Sequence, residues 1–74
     1  MNWIFVHIEE SGGSIATVQL SSVSMIGKSD EGGSTIFFNN PDNRLRVIDE
    51  FEDLINQIAE IDINIAERMR KLGG

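Results

Sequence analysis

The most constraining feature of this sequence is a change of hydrophobic period at Asp49. Upstream of it, apolar residues recur at every second position in short runs separated by Gly, Ser, Asn and Pro. Downstream they recur at every third or fourth position. Such a chain places an antiparallel sheet first and a helix second, which is an α+β order. With 74 residues it has the length of a single domain, residues 1–74, divided into a sheet part (1–48) and a helical part (49–72).

Four to five short strands are legible in the first part. Trp3 to Glu9 is rich in aromatic and β-branched residues, with Ile4, Val6 and Ile8 on one face and Trp3, Phe5 and His7 on the other. Ser11-Gly12-Gly13-Ser14 supplies the turn into Ile15 to Leu20. A bend at Ser21-Ser22 leads into Val23 to Gly27, and Ser29-Asp30-Glu31-Gly32-Gly33 is the strongest turn signal in the chain. Thr35 to Asn39 and Arg44 to Ile48 follow, divided by a turn around Pro41. Turns at this spacing predict an antiparallel β-meander.

From Asp49 the apolar positions are Phe51, Leu54, Ile55, Ile58, Ile61, Ile65, Met69 and Leu72. Asp49 and Glu52 have the spacing of a capping box. Acidic residues crowd the start, Arg68, Arg70 and Lys71 crowd the end, and Gly73 stands where a helix stops. One C-terminal helix over residues 49–72 is predicted. It would run about 34 Å, against about 17 Å for a five-residue strand. It therefore covers one sheet face and extends beyond it. Ile63 falls off its apolar stripe.

That excess helix sets the first expectation about partners. Ile61, Ile65, Met69 and Leu72 have no counterpart in their own chain and form the predicted oligomer interface. The partner is a second copy, in a homodimer or higher oligomer. Antiparallel helices would set Asp49 to Asp53 near Arg68 to Lys71. A second candidate is a partner-binding sheet face formed by Trp3, Phe5 and Phe37.

Composition then removes whole classes of chemistry. With no cysteine there is no disulfide framework, thiolate metal site or thiol catalysis, and one histidine cannot build a histidine-rich zinc site. His7 lacks a neighbouring acid motif and reads as structural. The acidic run at 49–53 is explained by capping rather than by a metal. Gly12-Gly13 and Gly32-Gly33 open into strands, not into a helix as a phosphate loop requires. No catalytic residue, metal ligand or cofactor is assigned, and the chain is not read as an enzyme. Twelve acidic against six basic residues, a net charge of −6, argue against nucleic acid as partner. The alternative reading is a nucleic-acid-binding module that uses the aromatic sheet face. The run Ile4-Phe5-Val6 is too short for a signal peptide or a membrane span, and a cytoplasmic protein is expected.

An opening strand, Gly13 before Ile15-Ala16-Thr17-Val18, then Ile26, Thr35-Ile36-Phe37-Phe38, Leu45-Arg46-Val47 and an acidic helix start follow one another here. This order resembles the small FlbD-type proteins associated with bacterial flagellar operons, and phage proteins of similar length. The resemblance covers residues 3–58, and the segment from Ile61 onward departs from it. It implies a small regulatory or structural protein and carries no functional residue across. In outline the strand order is also similar to the LytTR DNA-binding domain, a basic family where this chain is acidic. The expectation is a small non-catalytic homo-oligomer that acts through protein–protein contacts.

Overall fold

In the computed structural model, which describes residues 2–73, five strands form with bounds within about one residue of those expected. They are β1 (Trp3–Ile8), β2 (Ser14–Gln19), β3 (Val23–Lys28), β4 (Ser34–Phe38) and β5 (Arg44–Val47). The turns lie where glycine allows them. Gly33 has φ 74°, and a Cβ there would stand 2.5 Å from the Val47 carbonyl oxygen, so no larger residue fits this turn unstrained.

The five strands form one antiparallel sheet in the order β2-β1-β5-β4-β3, which corrects the simple meander. β2 and β3 are consecutive in sequence yet are the two edges, joined by the 3-10 turn Leu20–Ser22. A flat five-stranded sheet would hold its edges about 19 Å apart, whereas three 3-10 residues span about 8 Å. The sheet therefore rolls until the end of β2 approaches the start of β3. Asn39 secures that corner, its backbone N–H donating to the Ser22 carbonyl at 2.9 Å and its side-chain amide to the Ser21 carbonyl at 2.8 Å.

The helical part is two helices, not one. α1 (Phe51–Ile61) and α2 (Ile63–Gly73) are separated by Asp62, whose backbone is extended at φ −159° and ψ 110°. The Asp62 carboxylate accepts the Asn64 N–H at 2.9 Å and the Ile65 N–H at 3.4 Å, so it caps α2 at the same point where α1 stops. The capping box expected at Asp49 does not form. Glu50 precedes the first helical residue without a side-chain cap, and the Asp49 carboxylate is engaged by His7.

After the break α2 doubles back along α1 and packs on β3. Arg70 Nη1 lies 2.6 Å from Glu52 Oε2, so the acidic start and the basic end meet within one chain. The helix thus does not extend beyond its sheet. The final turn of α2 touches the β3 backbone so closely that a Cβ on Gly73 would collide with the Ile26 carbonyl oxygen. One core results, with Ile4, Val6 and Val18 from the first hairpin, Ile26, Ile36 and Val47 from the other strands, Phe51, Leu54, Ile55 and Ile58 from α1, and Ala66 and Met69 from α2. Each large apolar side chain buried there contributes about 1.5–3 kcal/mol.

Candidate functional site

The rolled sheet has a seam, and the seam positions the exposed face of β1. β1 pairs with β2 along its full length, but with β5 only at Ile8 and Val47. Where β5 diverges, side chains from further along the chain take over its role. The Gln57 amide spans the gap from α1, its Oε1 accepting the Phe5 N–H and its Nε2 donating to the Phe5 carbonyl, both at 2.8 Å. Two residues on, Asp49 Oδ2 accepts the His7 N–H at 2.5 Å, and Asp49 Oδ1 lies 2.9 Å from His7 Nδ1. Ser34 Oγ donates to the Asp49 carbonyl at 2.8 Å, tying this link to the start of β4.

The consequence is a firmly held strand with an apolar outer face. Trp3, Phe5 and His7 stand on it in succession, opposite Gln19, Thr17 and Ile15 of β2. Trp3 is 40% exposed, Phe5 58% and Ile15 69%, and the exposed Ile48 side chain lies against Gly13 at the hairpin turn. Large apolar side chains gathered on one face at this exposure are the chemistry of a contact surface.

The third residue expected on this face stands apart from it. Phe37 belongs to β4, with β5 between it and β1. Its ring covers Gly27, and the Arg44 guanidinium sits 5.3 Å from its centroid. Arg46, the other cation of that face, is held by Glu9, Thr35 and the Gly32 carbonyl. Among the helix residues expected to form an oligomer interface, Met69 is 1% exposed and belongs to the core. Ile61 and Ile65 are half-buried against that core, and Leu72 alone of the four is exposed, at 55%. The exposed stripe inferred from a straight helix is therefore corrected: most of it is covered by the chain's own sheet.

The His7–Asp49 pair escapes sequence reading because 42 residues separate its members. Asp49 looks like a helix cap from its neighbours alone. Among the described residues no cluster of three or more His, Asp or Glu side chains is placed to hold a metal ion, and no helix is long and apolar enough to cross a membrane. Compared with protein-family models, with curated proteins and with solved structures, the chain matches none.

Proposed function

We propose that this chain is a small non-catalytic protein that acts through protein–protein contacts and assembles with copies of itself. The role is regulatory or structural, of the kind the flagellar and phage resemblance implies, and its setting is the cytoplasm. The observation that carries this reading is the outer face of the β1–β2 hairpin, where Trp3, Phe5 and Ile15 are exposed together. Contact surfaces favour large aromatic groups because these bury much area at small entropic cost. The hairpin replaces the helix stripe as the proposed meeting surface, since Met69 is already buried.

Sedimentation velocity across a range of protein concentrations tests it. The mass is expected to rise above the monomer value of 8.2 kDa. A mass that stays at the monomer value up to millimolar protein would refute self-association.

A second reading rests on Phe37 with Arg44 stacked on it, a pair able to receive an unstacked base. It requires binding to single-stranded nucleic acid that weakens as salt rises.

A further inference from the structure

Two independent features converge beside β2. The first is an open strand edge. β2 ends the strand order, with β1 as its sole strand neighbour. The Leu20 N–H donates to the Asn2 carbonyl, so the even-numbered residues of β2 turn their backbone groups to β1. On the far side of β1, both backbone groups of Phe5 bond Gln57, which leaves the opposite residue Thr17 unbonded to it. The N–H and C=O groups of Ile15, Thr17 and Gln19 therefore face outward. Natural edges are blunted by lysine, proline, bulges or a covering element. β3 has Lys28, an irregularity between Val23 and Met25, and α2 packed on it. β2, Ser-Ile-Ala-Thr-Val-Gln, has no lysine, proline or charge and a regular register with β1, and among the described residues no other strand pairs with it.

The second feature is a groove of about 570 Å³ along that edge, within the usual range for ligand sites. It is lined by Trp3, Thr17 and Gln19 from the first hairpin and by Phe38, Asn39 and Asn43 from the end of β4 and the turn after it. Among the described residues no charged side chain lines it, in a chain whose net charge is −6.

We propose that this groove takes an extended, uncharged peptide segment of a partner protein, which adds as a strand along β2. The outward backbone groups repeat every second residue, about 6.8 Å, which is the repeat of another strand. Main-chain bonds to β2 supply affinity, and Trp3 and Phe38 receive alternate side chains. A second copy's β2 brings its own β1 alongside it, whereas a free segment presents a single strand to a groove lined from both the hairpin and the β4–β5 turn, so the proposed occupant is a free segment. The proposal rests on the reading that the chain works through protein contacts, but not on self-association.

Trp3 is the only tryptophan and borders the groove, so its emission reports occupancy. The probes are acetylated, amidated hexapeptides of uncharged residues, the same peptides with Lys or Glu at alternate positions, and maltose. Neutral peptides are expected to shift Trp3 emission and the amide resonances of Ile15, Thr17 and Gln19. N-methylation of the peptide at alternate residues is expected to weaken binding by about tenfold or more. That modification leaves the protein untouched. Thr17→Pro removes an outward N–H without breaking a β1–β2 bond, and is expected to abolish binding while the protein melts as a folded unit. The proposal is overturned if N-methylation leaves affinity unchanged, if the peptides with Lys or Glu bind as tightly as the neutral ones, or if maltose shifts Trp3 where no peptide does. Self-association is read separately: a monomer that binds neutral peptides upholds this proposal and removes assembly, and an assembling chain that binds none does the reverse.

Discussion

Replacing Gln57 with alanine should loosen β1 where β5 leaves it. Gln57 makes two hydrogen bonds of 2.8 Å to the backbone of Phe5, one in each direction, as a paired strand would. A neutral hydrogen bond contributes about 0.5–1.5 kcal/mol net, so the pair amounts to about 1–3 kcal/mol. Phe5 is 58% exposed and water can reach the vacated groups, which places the loss in the lower half, about 1–2 kcal/mol. For a domain of this size that lowers Tm by about 5–15 °C. Gln57→Glu keeps the acceptor for the Phe5 N–H but sets a carboxylate against the Phe5 carbonyl, and should be no more stable than the alanine variant. Thermal unfolding followed by circular dichroism measures both, and hydrogen exchange at the Phe5 amide should accelerate in Gln57→Ala. A variant melting within about 2 °C of the parent, with Phe5 exchange unchanged, would show that the seam is held by something else.

Other substitutions probe the folded-back helix. Met69→Ala should cost about 2–5 kcal/mol in urea unfolding, while Leu72→Ala should stay within about 0.5 kcal/mol; equal effects would mean that α2 does not pack on β3. Asp62→Ala removes the cap of α2 and should cost about 0.5–2 kcal/mol with a loss of helical circular dichroism; a gain in helix would mean that the two helices fuse into one. Gly73→Ala gains about 1 kcal/mol of helix propensity, yet it should destabilise because its Cβ meets the Ile26 carbonyl; a raised Tm would contradict that close approach.

The strands were readable because alternation and glycine turns are local signals, and β1 to β5 lie where those signals put them. Their order was not, because nothing in a run such as Arg44 to Val47 tells which strand it will join. The pairing of β5 with β1 depends on Asp49 and Gln57 completing an edge that β5 covers at one residue pair. The helix break had a visible trace in Ile63, off the stripe. An extended residue at 62 resets the helical phase, so the apolar positions before and after it need not share one stripe. Ile61-Asp62-Ile63-Asn64-Ile65 also alternates β-branched residues with cap formers, a poor helix interior. The opposed charges at the two helix ends were legible, but their use was not: Arg70 meets Glu52 in the same chain. The fold-back of α2 buries Met69 and half-buries Ile61 and Ile65, which leaves Ile63 and Leu72 as the exposed large apolar residues of the helices and Trp3, Phe5 and Ile15 as those of the hairpin.

Sedimentation equilibrium on two double variants tests where copies meet. Phe5→Ser with Ile15→Ser removes the hairpin surface, and Ile63→Ser with Leu72→Ser removes the exposed apolar residues of α2. The hairpin variant is expected to remain at 8.2 kDa at concentrations where the parent and the helix variant assemble. Assembly by the hairpin variant with loss of assembly in the helix variant would contradict the account.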